Sequence, residues 1–188
     1  MYEASDLRKG LKIELDGDPY VVTDFDFHKP GKGQANYRCK LKNLRTGSTT
    51  DKTFRSSDRI NKPDLFDKQM VYAYPESNTF VFMDPNTYDQ VPVPEDLLGE
   101  RKYLLNEDMT CTITLYENEP VEITLPNFVE KKIAKTEPGV RGDTATNVTK
   151  PAYLDNGYEV HVPLFLNEGD IIRIDTRTGE YRERVKKG

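Results

Sequence analysis

Short stretches in which apolar and polar residues alternate recur along almost the whole chain, separated by turn sequences about every ten residues. Alternation with a period of two places the apolar side chains on one face of a β-strand. The stretches LKIEL, ANYRCKLKNL and TFVFM, for example, precede DGDP, RTGS and DPNT, which are rich in residues that favour turns. The pattern predicts an all-β protein built from small barrels.

One segment departs from this alternation. In PEDLLGERKYLL, the pair Leu97 and Leu98 and the pair Leu104 and Leu105 recur one heptad apart. This spacing predicts a short helix that begins at Pro94, a residue that favours the first turn of a helix.

The distribution of charge divides the chain into three parts. Of its 188 residues, 36% are apolar, which is low for one large core. The net charge is +4 for residues 1–62, −10 for residues 63–127 and +1 for residues 128–188. The turn sequences NKPD and LPNF stand at the two boundaries. We therefore predict three domains of about 60 residues each, with those bounds.

A glycine-rich turn holds a lysine between two strand-like stretches. In HKPGKGQA, Lys32 lies between Gly31 and Gly33, shortly after Pro30, so we expect it at the exposed tip of a hairpin. The turn does not fit the phosphate-binding loop of nucleotide hydrolases. Asp26 stands where that loop has its first glycine, and Gly33 stands where it has Ser or Thr.

The strand that follows this turn is basic. No acidic residue lies between Asp26 and Asp51. Alternation over residues 35–44 predicts an apolar face towards a barrel core and a basic face away from it. A solvated surface and an RNA-binding surface both agree with this pattern, and the residues alone leave the two open. The candidates for RNA contact are Lys29, Arg38, Lys40, Lys42 and Arg45.

Little in the sequence favours catalysis or metal binding. His28 and His161 lie far apart, and the alternation predicts a surface strand position for His161. Cys39 and Cys111 are in phase with apolar neighbours, which favours core packing. We predict no catalytic residue, no metal site and no cofactor. The N-terminal residues resemble no signal sequence and no apolar run could span a bilayer, so we expect a cytoplasmic protein without a membrane partner.

Two separate regions resemble one known family. The stretch KPGKGQA with the following basic strand, KNLRTG and TFRSSD is similar to the first domain of the bacterial elongation factor P family. The stretch KPAYLDNGYEVHVPLFLNEG is similar to the C-terminal signature of the same family, and GDTAT and DTRTGEYRERV resemble further family segments. The resemblance extends in order over essentially the whole chain.

The resemblance implies both a fold and a function. It implies an SH3-like (KOW-like) first barrel followed by two OB-fold barrels, in an L-shaped arrangement similar to tRNA. It implies a monomeric translation factor that is not an enzyme and binds the ribosome between the P and E sites, beside peptidyl-tRNA. There, such a factor stimulates peptide-bond formation at consecutive prolines, and its tRNA partner is a peptidyl-tRNA of the proline-specific tRNA (tRNA-Pro).

The resemblance also assigns roles to individual residues. It implies that Lys32 reaches towards the CCA end of the tRNA. In the family, a ligase similar to lysyl-tRNA synthetase often extends this lysine with a β-lysyl group. Other branches of the family modify an arginine there, or leave the lysine with another modification or none. Gln34 resembles the β-lysylated branch, and the tip loop includes Pro30, Gly31, Gly33 and Gln34. The residues expected to face the codon, tRNA or ribosome are Gly142, Asp143, Thr144, Tyr181 and Arg184.

Two positions depart from the family pattern. Asn36 stands where many relatives have an aromatic residue, and GDTAT lacks a glycine that commonly follows it. Three other hypotheses remain: a static RNA-binding protein, a diverged paralogue with other targets, and an enzyme whose titratable residues converge only in the folded chain. A proline-specific effect on translation would distinguish the factor from the first two.

Overall fold

The computed structural model of the protein describes residues 1–139 and 148–188. These residues form seventeen β-strands and one short α-helix, so the predicted all-β class is confirmed. No helix among them is long and apolar enough to cross a membrane.

The N-terminal part is built around one antiparallel sheet. A two-residue turn at Asp16 and Gly17, both with positive φ, joins its first two strands and sets their register. The sheet has the order β2-β3-β4-β5, and β1 pairs separately with β6. These strands are β1 (Tyr2–Glu3), β2 (Lys12–Leu15), β3 (Asp18–His28), β4 (Asn36–Asn43), β5 (Thr49–Arg55) and β6 (Arg59–Ile60).

One face of this sheet packs on an apolar core. Ile13, Val22, Cys39 and Leu41 are all almost fully buried there. Alternate residues of β4 are exposed, because successive side chains of a strand point to opposite faces. The predicted sorting of this strand into an apolar and a basic face is confirmed.

A second sheet has five strands in the order β11-β10-β7-β8-β9. Helix α1 follows directly after Pro94, and a 3₁₀ turn over Gly99–Leu104 continues it, so the predicted short helix is confirmed. The elements are β7 (Leu65–Glu76), β8 (Thr79–Met83), β9 (Gln90–Pro94), α1 (Glu95–Leu98), β10 (Thr110–Tyr116) and β11 (Glu119–Thr124).

Two three-stranded sheets complete the described chain, in the orders β12-β16-β17 and β13-β14-β15. Ile172 and Ile174 of β16 and Val162 of β15 are fully buried. The strands are β12 (Phe128–Lys132), β13 (Lys135–Thr136), β14 (Thr149–Tyr153), β15 (Glu159–Pro163), β16 (Ile171–Asp175) and β17 (Glu180–Lys186).

Contacts between Cα atoms divide the chain into two compact units. The first unit is Met1–Lys68 with Ile113–Glu122, and the second is Gln69–Thr112 with Ile123–Gly188. Within the first unit, the Tyr116 hydroxyl donates a hydrogen bond of 2.8 Å to the carbonyl oxygen of Gly17. The three domains of residues 1–62, 63–127 and 128–188 stay a prediction. So do the closed barrels, because the strand order of each described sheet ends at two edges.

Candidate nucleic-acid interface

Strands β3 and β4 form the hairpin that carries the predicted tip. Their register runs from Tyr20 opposite Asn43 to His28 opposite Asn36. Residues 29–35 therefore form the loop that closes the hairpin. The sequence-based prediction of a hairpin tip at this place is confirmed.

Lys32 lies in the middle of this loop and is exposed to solvent. Among the residues that the structure describes, it has no partner for an ion pair or a side-chain hydrogen bond. The other tip residues predicted for the site surround it: Pro30 is half-buried, and Gly31, Gly33 and Gln34 are exposed. An ammonium group in this position is free to bind an external acceptor.

The two glycines beside Lys32 differ in what the fold demands of them. Gly33 has φ +112°, a backbone conformation that strains any residue with a side chain. Gly31 has no such φ, and a Cβ added there would meet nothing within 4 Å. The hairpin itself therefore requires glycine at position 33 but not at position 31.

A β-bulge decides which side chains of β3 face the core. Val22 pairs with Leu41 and Asp24 pairs with Lys40, so Thr23 is the extra residue. The Thr23 hydroxyl donates a hydrogen bond of 3.2 Å to the carbonyl oxygen of Lys40. Beyond the bulge, the alternation changes phase, which brings the aromatic residues of β3 to the core side and its aspartates to the outer side.

The outer face of β4 is basic, as predicted, but acids lie on both sides of it. Asp26 is the cross-strand partner of Arg38, and Asp24 and Asp51 are the partners of Lys40 on β3 and β5. Directly opposed residues of a sheet lie on the same face. The acid-free run in the sequence is therefore not an acid-free surface, because the acids come from neighbouring strands.

A shallow pocket of about 280 Å³ shows the same mixture. Its lining includes three acidic and three basic side chains, namely Asp24, Asp26, Asp51, Arg38, Lys40 and Lys52. None of these six makes an ion pair with another of them within 4.0 Å in the structure. The positive potential of the strand is reduced here, so an RNA phosphate is attracted less strongly than the sequence alone indicates.

The remaining basic candidates lie away from these acids or are already paired. Lys29 is exposed in the tip loop, and Lys42 lies opposite Val21 and Thr49. Arg45 instead forms an ion pair of 2.9 Å with Asp18. The hydrogen bond that the Arg45 guanidinium donates to Asp18 raises the pKa of Arg45 above its ordinary value. Arg45 therefore has a structural partner that Lys29 and Lys42 lack.

An aromatic row crosses the hairpin just behind the tip. Phe27 on β3, Tyr37 on β4 and Phe54 on β5 are cross-strand neighbours. The ring centroids of Phe27 and Tyr37 lie 5.0 Å apart, and those of Phe25 and Tyr37 lie 6.1 Å apart. Sequence reasoning missed this row, although Phe25 and Phe27 alternate in the printed sequence.

Asn36 is half-buried at the outer end of β4, between His28 and Arg55 in the register. As an asparagine, it provides no aromatic ring at this position. An aromatic contact close to the tip comes from the next residue, Tyr37, instead.

Of the C-terminal candidates, Tyr181 and Arg184 lie in the second unit. Gly142, Asp143 and Thr144 fall outside the described residues. Tyr181 is half-buried on β17, and burial raises the pKa of its hydroxyl. The Arg184 guanidinium lies 5.2 Å from the centroid of the Phe165 ring and 3.9 Å from the carboxylate of Asp170.

The histidines and cysteines of the described residues lie on separate strands. His28 and His161 are exposed strand residues, and the surface position predicted for His161 is confirmed. Cys39 and Cys111 are buried free thiols, as predicted, and burial raises their pKa values to about 11 and about 12. Among the described residues, no group of three or more His, Cys, Asp or Glu side chains could hold a metal ion.

Comparisons with known proteins agree with this architecture. Three family models match in order: the elongation factor P KOW-like domain over residues 3–60, the elongation factor P OB domain over residues 65–123, and the elongation factor P C-terminal domain over residues 129–184. Elongation factor P of Desulforapulum autotrophicum is 48% identical over 187 residues, and the match covers 100% of both chains. Elongation factor P of Desulfosudis oleivorans is 49% identical with the same coverage.

A solved structure shares the fold. Eukaryotic translation initiation factor 5A from Methanococcus jannaschii superposes with a TM-score of 0.53 at 19% identity, covering 66% of this chain and 90% of that chain. The all-β architecture and the full-length matches define a class, that of non-enzymatic translation factors built from KOW-like and OB domains. Within that class, the chain belongs to the elongation factor P family, whose members are translation elongation factors.

Proposed function

We propose that this protein binds the ribosome between the P and E sites, beside peptidyl-tRNA, and stimulates peptide-bond formation at consecutive prolines. In this proposal Lys32 bonds to the CCA end of the tRNA and holds it in a reactive geometry. The exposed, unpartnered ammonium group at the end of the β3–β4 hairpin is the observation that supports it best.

The hairpin allows Lys32 to reach into a narrow binding site. Its loop of residues 29–35 places Lys32 beyond the last strand pair, His28 and Asn36. A Cβ at Gly31 would meet no atom of the protein itself. Glycine at this position therefore leaves room for RNA to approach the backbone closely.

The chemistry of proline explains why such a factor is needed. Proline is a secondary amine with a fixed φ, so a nascent chain that ends in prolines holds its reactive groups poorly. Restoring a geometry close to attack lowers the barrier, and each 1.4 kcal/mol or so gives about a tenfold increase in rate. The factor needs no acid, base or nucleophile for this task, because the ribosome forms the bond.

The distribution of charge along the chain supports a model in which its first part, which carries the Lys32 tip, contacts the tRNA. Residues 1–62 carry a net charge of +4, whereas residues 63–127 carry −10. Since acids flank Arg38 and Lys40, the tip and Lys42 are the stronger phosphate contacts of the first part. The acidic middle part resists collapse onto ribosomal RNA.

Lys32 is also the proposed site of modification. A β-lysyl group would lengthen the side chain and add an amine that reaches further along the tRNA end. Gln34 beside the tip agrees with this modification, which a ligase similar to lysyl-tRNA synthetase would introduce. Since the tip lysine is exposed, such an enzyme has access to it.

We propose an SH3-like barrel followed by two OB-fold barrels in an L-shaped arrangement, acting as a cytoplasmic monomer. The C-terminal part would face the codon and the tRNA. Its proposed contact residues are Gly142, Asp143, Thr144, Tyr181 and Arg184.

The test is reconstituted translation of a message with three consecutive proline codons, using protein purified from its own host so that any modification is kept. We expect the wild type to accelerate synthesis at the prolines and Lys32→Ala to lose this effect. Lys9→Ala, which removes another exposed lysine of the first unit, is the matched control and should act as the wild type does. Full activity of Lys32→Ala would refute the role of the tip. A wild type that binds RNA without proline-specific acceleration would favour a static RNA-binding protein.

A further inference from the structure

The aromatic row behind the tip has one end in the core and the other in solvent. Phe54 is 4% exposed, whereas the side chain of Phe27 at the opposite end is 48% exposed. Between them lies Tyr37, whose ring centroid is 5.0 Å from that of Phe27. The Phe27 ring is therefore held on one side and open on the other.

The strand that carries Phe27 has a free edge at this point. Strand β2 pairs with β3 only as far as Val21, and β4 is the neighbour of β3 on the other side. In the described part of the chain, nothing pairs with the outer edge of residues 23–28. A flat ligand can thus approach the Phe27 ring from the side of this edge.

The charge around the ring favours an anionic partner. The loop that follows β3 contains Lys29 and Lys32, both exposed, and Asp26, the acid next to Phe27 on β3, lies on the opposite face of the sheet. Lys29 and Lys32 have no ion-pair partner among the described residues. An open aromatic ring beside free lysines is the combination by which proteins bind unpaired nucleotides, with the base on the ring and the phosphates on the cations.

We propose that Phe27, supported by Tyr37, is a stacking platform for an unpaired nucleobase of the tRNA acceptor end. This inference rests on the proposed function and extends it, since it assigns the base contact to a residue other than Lys32. The base supplies the flat partner and the adjacent phosphates bind the tip lysines. Because residue 36 is asparagine, Phe27 and Tyr37 provide the aromatic rings near the tip.

The first experiment compares three variants in the translation assay for consecutive prolines. Phe27→Leu keeps an apolar side chain but removes the flat ring, and it should raise the protein concentration for half-maximal acceleration roughly 5- to 150-fold. Phe27→Trp should retain activity because it keeps an aromatic face. Phe66→Leu makes the same change at another exposed phenylalanine of the first unit, 64% exposed, and should behave as the wild type does.

The outcomes separate the two proposals. If the wild type accelerates synthesis and Phe27→Leu accelerates it equally well, the platform is overturned and the proposed function stays in place. An inactive Phe27→Trp with an unchanged melting temperature would also overturn it, because an aromatic face would then be insufficient. A well-folded wild type with no acceleration would overturn the proposed function, and the platform with it.

A second measurement detects stacking directly. The chain contains no tryptophan, so Phe27→Trp introduces a single tryptophan, whose emission can be excited selectively over that of the eleven tyrosines. The probe is a short RNA hairpin with a 3′ CCA overhang, and the same hairpin with a blunt end is its control. We expect the overhang to quench the emission of Trp at position 27 and the blunt hairpin to leave it unchanged. Equal emission with both RNAs, at concentrations where a labelled overhang is bound, would overturn the platform.

Discussion

Asp26 on β3 is the direct cross-strand partner of Arg38 on β4, although twelve positions separate them in the sequence. The pair shares the outer face of the hairpin but makes no ion pair within 4.0 Å in the structure. Asp26 therefore reduces the positive electrostatic potential of the basic strand, but it does not hold the Arg38 side chain in one position.

Replacing the acids of β3 should strengthen the affinity for RNA. We expect Asp24→Asn combined with Asp26→Asn to raise it severalfold at low salt, because two charges that repel phosphate are removed from the basic face. The logarithm of the binding constant should then fall more steeply with the logarithm of salt concentration. Filter binding of a single-stranded RNA between 50 and 200 mM salt, roughly the range where this effect is large, measures both. Asp64→Asn, which removes an exposed acid from outside the hairpin, is the control, and a double variant no better than this control would contradict the prediction.

The two tip glycines should respond differently to alanine. Gly33→Ala forces a side chain into a backbone with φ +112° and should destabilise the first unit by about 1–2 kcal/mol. Gly31→Ala meets no atom of the protein, so its melting temperature should stay within about 1 °C of the wild type. If RNA approaches this backbone, Gly31→Ala should nevertheless lose acceleration at prolines. Thermal unfolding followed by the translation assay separates the two effects, and a fully active, stable Gly31→Ala would argue against close approach.

Asp170 should make the stability of the second unit sensitive to acid. Its carboxylate is 2% exposed and accepts hydrogen bonds from the backbone N–H of Gly188 at 2.8 Å and of Asn167 at 2.9 Å. The Gly188 bond is the main cause that lowers the pKa of Asp170 below its ordinary value of 3.8. A lowered folded-state pKa means that the stabilisation is present above about pH 4 and is lost as the pH falls through the folded-state value.

We therefore expect Asp170→Asn to unfold more easily than the wild type at pH 7, with a difference that shrinks as the pH falls below about 4. Urea unfolding at a series of pH values measures this. Asp155→Asn removes an exposed carboxyl of the same unit and serves as the control. A difference that stays constant across the series would show that the ionised form of Asp170 contributes no stability.

The two cysteines should be inert in the folded protein. With pKa values of about 11 and about 12, the Cys39 and Cys111 thiols are almost entirely protonated at pH 8, and both are buried. We expect alkylation by iodoacetamide at pH 8 to be slower by several orders of magnitude than in urea, as followed by mass spectrometry. Fast labelling of either thiol without denaturant would mean that its strand opens in the native state.

Patterns of neighbouring residues predict the local structure and much of the candidate site. Alternation predicts the two faces of β4, and the glycines around Lys32 predict an exposed tip, because strand facing and turn conformation depend on neighbouring residues. The short helix after Pro94 follows from the same kind of local signal. The spacing of residues along the chain is also sufficient to identify the resemblance to one family.

Which residues share a surface depends on the assembled sheet. The bulge at Thr23 changes the phase of β3, so that Phe27 joins Tyr37 while Asp26 joins Arg38. Without the bulge, the residues of β3 after Thr23 would be shifted by one position, so that the aspartates would face the core and the phenylalanines would face outward. Such pairings, and the packing of Tyr116 with Gly17 in the first unit, depend on strand register between distant residues. Register is a property of the assembled sheet, since turns, bulges and core packing set it together, and a pattern of neighbouring residues does not contain it.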